Sequence, residues 1–473
     1  MSSELLGQYA EAVCGCVRNK RVHDDIREEL LSHLEEAVAF KMEEGLSEEE
    51  AARQAVAEMG DPLSVGKQLN RTHKIKIEWS VIALTGFFIG LGLLVMQSIA
   101  AGGGWYNDSL FIKKLLFETV SIALMIGAAL IDYRRLQRFT VWFYITAVAL
   151  ILLTLLTSNQ LNGAHYLPVP FFGMGHVDIS VFASVLFLIA VSGMLAEERP
   201  SGGAGGTSLS QRTRSKELAA AQEPLLRVSI PAYDKEWAIV TGGFVWKLFS
   251  LIVVPVGGLL LLKLFSGVLI YVAGVTAILV FARVKGWISL IAIALTAGPL
   301  ALLMGTSYRR RLVAAFFNGD PDMNYYKNVS LDVIKQGGLW GQGFAANVKI
   351  LPSVHTDFIY PYLIYTLGWV SGALLAFAVL LFVSRLLQAA IGATDRYGKL
   401  IAAVAAAYFT LQFAWNILMT LGLMPIAGIG MPFVSYGGAQ SVTQALLIGL
   451  FLSVYRLGRS PRSSSNGRFE RPI

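Results

Sequence analysis

Residues 400–455 read LIAAVAAAYFTLQFAWNILMTLGLMPIAGIGMPFVSYGGAQSVTQALLIGLFLSVY, and none of them is Asp, Glu, Lys or Arg. At about 20 residues per crossing, this is enough for two membrane spans and a connection. The connection, Met424-Pro425-Ile426-Ala427-Gly428-Ile429-Gly430-Met431-Pro432-Phe433, is rich in Gly and Pro. A loop so free of charge can dip back into the apolar phase only where protein buries it. Working outward, eight further apolar runs are expected to cross: Trp79–Ala101, Leu115–Ile131, Phe139–Thr157, Ile179–Ala196, Leu248–Leu262, Leu264–Ala282, Trp287–Thr306 and Phe358–Val383. The fold class is therefore all-α, a polytopic helical membrane protein of about ten spans.

Composition agrees. The 473 residues are 55% hydrophobic and only 15% charged, with a mean hydropathy of +0.57, whereas soluble domains run nearer a quarter charged. The charge is unevenly placed. Residues 1–73 carry 15 acids against 8 bases, a net charge of −7. The remainder carries 17 acids and 31 bases, +14, which together give the +7 of the chain. An acidic soluble domain (1–73) thus precedes a basic membrane domain (74–459) and a basic, Ser-rich tail (460–473). The overall basicity is no argument for a nucleic-acid partner.

Residues 1–73 read as four short helices. The stripe Ile26, Leu30, Leu34 and Val38 marks the second. Ser47-Glu48-Glu49-Glu50 is a capping box for the third, which Gly60 ends, and Asp61-Pro62 starts the fourth. Cys14 and Cys16 point to different faces of the first helix and read as reduced packing residues. This domain resembles a helical prefix found ahead of bacterial permeases. Its cytoplasmic partner is unknown, and nothing in it reads as catalytic.

Lys and Arg cluster after every second span, which puts both termini and the Gly/Ser-rich linker 197–236 in the cytoplasm. The loop 307–357 falls on the opposite side yet is basic, with Arg309, Arg310, Arg311, Lys327, Lys335 and Lys349. Anion recognition is one reading of that exception. Packing against Asp320, Asp322 and Asp332 is the other. The loop ends in Asp357, the only carboxylate between Asp332 and Asp395. At an apolar boundary a carboxylate is partly desolvated, which raises its basicity and suits a general base. The plain alternative is a cap for the next helix. Gly337 to Gly343 is glycine-rich without being a phosphate-binding P-loop, since no Gly-Lys-Ser/Thr follows. No cluster reads as a metal site.

Three stretches carry a family likeness. Ile350-Leu351-Pro352-Ser353-Val354-His355-Thr356-Asp357-Phe358-Ile359 resembles the LPEAHTDFIF motif of the SEDS family (shape, elongation, division and sporulation proteins), which includes FtsW, RodA and SpoVE. Gly337-Gly338-Leu339-Trp340-Gly341-Gln342-Gly343 matches its GGLFGKG, and Pro425 to Gly438 its PVTGIPLPFISYGG. Asn162-Gly163-Ala164 is similar to an NGA in the family's first outer loop. Elsewhere the chain departs. The family's QPSE falls on Asp178-Ile179-Ser180-Val181, its following Lys on Ser184, its QPDLG on Lys263 to Gly267, and a Glu pair on Tyr365-Thr366.

The resemblance implies a peptidoglycan glycosyltransferase of the bacterial cell membrane, polymerising lipid II beside a class B penicillin-binding protein. It implies Asp357 as the catalytic base. His355, Thr356, Gly341, Ser435, Tyr436 and Gly437 would contact substrate. Arg309, Arg310 and Lys349, with a divalent cation (Mg or Mn), would neutralise the pyrophosphate. A lipid II flippase and a non-catalytic scaffold for the transpeptidase are the alternatives. The departures weigh toward the scaffold among these two.

Overall fold

The computed structural model describes residues 2–18, 20, 23–72, 78–102, 108–161, 164–169, 175–196, 252–283, 316–318, 324–348 and 351–457, with isolated positions between 290 and 298. The linker 197–236, the expected span Trp287–Thr306, the tail 460–473 and Arg309, Arg310 and Lys349 lie outside the described residues. The chain divides into two compact units, one built on the first four helices and one spanning Trp79–Val454.

The first unit holds α1 (Ser2–Gly15), α2 (His23–Glu43), α3 (Glu48–Met59) and α4 (Pro62–Thr72). Ile26, Leu30, Leu34 and Val38 are buried against Ala51, Ala52 and Ala55. Ser47 accepts from the Glu50 amide and donates to its carboxylate at 2.9 Å, closing the capping box. Gly60 ends α3 at φ 89°, and Asp61 accepts from the Ser64 amide at 3.0 Å at the start of α4. Cys14 is in the core while Cys16 is partly exposed.

The second unit runs α5 (Trp79–Ala101), α6 (Asp108–Leu130), the short α7 (Tyr133–Leu136), α8 (Thr140–Thr157), α9 (Ser180–Ala196), α10 (Val254–Leu262), α11 (Phe265–Phe281), α12 (Tyr325–Gly337), α13 (Ile359–Gly392), α14 (Arg396–Thr420) and α15 (Gly438–Leu457). Among the described residues, five segments are long and apolar enough to cross a membrane: α5, Tyr133–Thr157, α13, α14 and α15. Helices α9 and α11 are apolar but shorter. The protein is an all-helical polytopic membrane protein. Helix α14 packs against α9, α11 and α13. Phe88 of α5, Phe382 of α13 and Phe409 and Phe413 of α14 meet edge to face or tilted, with centroids 5.0 to 6.1 Å apart.

Four differences from the sequence reading have physical causes. Helix α6 starts at Asp108, seven residues before the apolar run, because Lys114 and Glu118 pair within it at 2.6 Å and bury each other. Helix α13 continues to Gly392 and kinks at Gly368, whose φ 81°, ψ 171° is open essentially to glycine alone. The basic loop is partly helical: α12 has buried Ser330, Val333 and Ile334 on one face. Residues 159–177 hold a three-stranded antiparallel meander, β1 (Asn159–Leu161), β2 (Ala164–Val169) and β3 (Gly175–Val177). In β1–β2 Gln160 sits opposite His165, and in β2–β3 Leu167 sits opposite Val177.

Candidate active site

The two carboxy-terminal motifs fold onto each other. The Tyr436 amide donates to the His355 carbonyl at 2.7 Å, and the Ser435 hydroxyl donates to the Thr356 carbonyl at 2.6 Å while accepting from the Met431 amide at 2.7 Å. Ser435 is thus a strap between motifs rather than a cap for α15. Asn416, one turn from the end of α14, donates to the Asp357 carbonyl at 3.0 Å and the Ile429 carbonyl at 2.7 Å. One amide group therefore fixes both motif backbones to the same helix.

The glycine-bearing loop is held from its other side too. Phe433 sits at φ 60°, uncommon for an aromatic residue. It is kept there by three partners. Its ring stacks on Phe409 at 5.5 Å, its amide donates to Gln444 at 2.8 Å, and its carbonyl accepts from Lys114 at 2.9 Å. Lys114 also donates to the Ser435 carbonyl at 2.8 Å and is neutralised by Glu118, which accepts from Ser441 at 2.9 Å. A Cβ on Gly92 of α5 would meet the Phe433 carbonyl oxygen at 2.7 Å, so this glycine is needed for the loop to approach.

Between these segments lies a cavity of about 480 Å³. Asp357, His355 and Thr356 line it from one motif, and Gly428, Tyr436 and Gly437 from the other. Asp178 and Ser266 at the starts of α9 and α11, with Gln412 and Gln440, complete its polar walls. No Lys or Arg is among the described lining residues.

Asp357 is the group with unspent chemistry. Phe358, not Asp357, is the N-cap residue of helix α13. Among the described residues none donates to its carboxylate. Burial without a compensating donor pushes its pKa from 3.8 to about 6. His355 next to it is lowered to about 4, again by burial, so it is a neutral imidazole at pH 7. It contributes shape and hydrogen bonding rather than positive charge, and its ring lies 5.9 Å from that of Tyr436.

Of the residues singled out from the sequence, the cavity brings together Asp357, His355, Thr356, Tyr436 and Gly437, with Ser435 directly behind them. Gly341 lies apart. Its φ is 83°, and a Cβ there would collide with the Thr366 backbone. Gln342 and Gly343 donate to the Tyr365 and Thr366 carbonyls at 2.8 and 3.1 Å, and Trp369 donates to the Gly338 carbonyl at 2.9 Å. The glycine run is a clasp on the α13 kink. Asp178, Lys114, Asn416, Gln412 and Gln440 carry roles that motif reading did not assign. Their signal was present as polar groups within or beside apolar helices, which in a membrane protein mark function or fixed structure.

Comparison with known proteins places the chain. The cell cycle protein family defined on FtsW, RodA and SpoVE matches residues 75–459. The chain belongs to that family. It is 25% identical over 406 residues to the probable peptidoglycan glycosyltransferase FtsW of Coxiella burnetii, covering 80% of this chain and 98% of that protein. It is 24% identical over 425 residues to the peptidoglycan glycosyltransferase RodA of Treponema pallidum, covering 79% and 95%. Stage V sporulation protein E of Bacillus subtilis is 33% identical over a shorter stretch of 186 residues, 38% of this chain and 50% of that protein. A solved peptidoglycan synthase complex contains a chain of the same fold, with TM-score 0.59 and 21% identity over 81% of this chain and 98% of that one. The rod shape determining protein RodA of Thermus thermophilus gives TM-score 0.54 at 20% identity, with the same coverage. The family matches the unit that contains the cavity, and the first four helices, which end at Thr72, lie outside the match.

Proposed function

We propose that the chain is a peptidoglycan glycosyltransferase that polymerises lipid II, an undecaprenyl-pyrophosphoryl disaccharide-peptide. The observation that carries this is a half-buried carboxylate to which no described residue donates, Asp357, in the cavity where the two motifs meet. Relatives named peptidoglycan glycosyltransferase support it. The acceptor sugar hydroxyl gives its proton to Asp357 while its oxygen attacks the anomeric carbon of the donor. The bond from that carbon to the pyrophosphate oxygen breaks, and undecaprenyl pyrophosphate leaves with the electron pair. One displacement inverts the anomeric centre and needs one base. A base with pKa near 6 is ionised at neutral pH and still a competent proton acceptor.

The leaving group needs its charge met rather than a proton. Arg309, Arg310 and Lys349 are the candidates for that task. Among the described residues no group of three His, Cys, Asp or Glu forms a metal site. A divalent cation on the pyrophosphate would be held largely by the substrate's own phosphate oxygens with one or two carboxylates, and no step is assigned to one. The proposed orientation has both termini in the cytoplasm and residues 307–357 outside the cell membrane. The proposed partner is a class B penicillin-binding protein. Gly341 is unsuited to a cysteine label because of its φ. Lys335, whose side chain is exposed, is a better site: in a background free of Cys14 and Cys16, Lys335→Cys should react with an impermeant thiol reagent on intact cells. Reaction only after lysis would reverse the assignment.

A second reading is favoured by one feature. The family's Glu and Lys at the start of α9 are Val181 and Ser184 here, which suits a scaffold that recruits the transpeptidase without chemistry of its own. Purified protein incubated with lipid II, with and without the penicillin-binding partner, separates the two. Glycan chains formed by this protein support the enzyme. Glycan formation unchanged when it is omitted supports the scaffold.

A further inference from the structure

The cavity holds a second carboxylate that the reaction above does not use. Asp178 lies between β3 and α9 and lines the cavity with Val181 and Ser266. Three protein donors reach it. The Ser180 amide donates to Oδ1 at 2.8 Å, the Ser180 hydroxyl donates to the same oxygen, and the Ser266 hydroxyl donates to Oδ2 at 2.9 Å. A carboxylate offers about four acceptor positions. Three are filled by donors from two helix starts, which fix the orientation of the group and leave acceptor capacity for the cavity. This is the opposite of Asp357, which no described residue restrains through its carboxylate. Asp178 is therefore built to accept hydrogen bonds in one place, and Asp357 to take a proton.

The neighbouring positions sharpen the assignment. Val181, where the resemblance puts the family's Glu, lines the same cavity. The chain lacks an acid there and has one three residues earlier. Ser184, at the family's Lys position, donates to the Ser180 carbonyl at 2.6 Å and the Gly267 carbonyl at 2.8 Å. Gly267 lets α11 come this close, since a Cβ on it would run into Ser180. Among the described lining residues no cation faces Asp178, and a sugar hydroxyl or N-acetyl N–H is a neutral donor that its open acceptor position can take.

We propose that Asp178 is a sugar-binding residue: its carboxylate accepts a hydrogen bond from a hydroxyl or N-acetyl N–H of the lipid-linked saccharide and sets how that sugar lies against Asp357. The inference rests on the glycosyltransferase reading. The competing role is a cap that ties α9 to α11 and meets no substrate.

The test uses the full chain with lipid II, measuring equilibrium binding and steady-state polymerisation. Asp178→Asn and Asp178→Ser both retain a side-chain oxygen able to cap α9. In variants that keep the wild-type melting temperature, Kd and KM for lipid II should rise about 10- to 100-fold, the range for losing a hydrogen bond to a charged group. The value of kcat should fall too, because the sugar is less well placed against Asp357, but by less than in Asp357→Asn. Ser266→Ala removes one orienting donor while leaving Asp178 in place and should raise KM by a smaller factor. It supplies the decision should both Asp178 variants unfold. Wild-type Kd and KM in the folded variants overturn the inference and leave the enzyme reading standing. A wild-type chain that neither binds nor polymerises lipid II overturns both.

Discussion

Asp357 could be picked from the sequence because it is the lone carboxylate at an apolar boundary within a long motif. What the sequence left open was whether it caps a helix. The structure answers through a bond that is missing among the described residues: no backbone amide of α13 donates to the carboxylate. Asp357→Asn preserves size and hydrogen-bonding capacity. The variant should fold and bind lipid II, and its polymerisation rate should drop by roughly 10²-fold or more, the cost of losing a general base. Near-wild-type glycan synthesis in the variant would remove Asp357 as the base. The pH dependence follows from the same burial. A base works ionised, and burial raises this pKa to about 6. The value of kcat/KM should therefore rise with pH through about 6 and level off above it. The residual activity of the Asn variant should lack that limb. An unchanged limb would assign the titration to another group. His355 was legible as a motif residue but not as a neutral one, because its state comes from packing that no spacing reveals.

Among the elements, the apolar helices were readable and their polar seams were not. Hydropathy finds α5, α8, α13, α14 and α15 because each must bury or face lipid along its length. It starts α6 too late, since Lys114 and Glu118 look like the edge of a span until their pairing is seen. It also misses β1–β3, whose short strands lack a long alternating pattern. The Lys114–Glu118 pair is what holds the Phe433–Ser435 segment against α6, through two carbonyls. Removing one partner of a buried pair leaves an uncompensated charge, at a cost of about 3 to 5 kcal/mol. Lys114→Met should therefore lower the melting temperature of the solubilised protein markedly. The double variant Lys114→Met/Glu118→Met should recover part of the loss, because no buried charge is then left alone. A double variant no more stable than Lys114→Met would mean that the two carbonyl bonds, rather than the ion pair, carry the effect.

At the scale of the molecule, charge partition alone separates an acidic start from a basic membrane region, and the structure likewise resolves two compact units. The capping box at Ser47 and the apolar stripe of α2 made the first unit readable, because both are local signals. The cavity was not, because it is assembled from residues as distant in sequence as Phe117 and Thr443. All of its described lining belongs to the second unit. The first unit has its own core of Leu6, Ala10, Val13, Leu34 and Ala51, capped helices and no lining residue. Its ion pairs include the exposed Arg53–Glu49 at 3.1 Å and the half-buried Lys41–Glu58 at 2.7 Å. Exposed pairs of this kind contribute about 0 to 1 kcal/mol and no catalysis. Deleting residues 1–73 should accordingly leave lipid II polymerisation within a few-fold of the full chain and change partner recruitment or regulation in the cell. The comparison needs equal amounts of both proteins with matched melting temperatures, so that lost folding is not read as lost chemistry. Complete loss of polymerisation in a truncated protein that melts like the full chain would mean that the four-helix unit takes part in the reaction cycle.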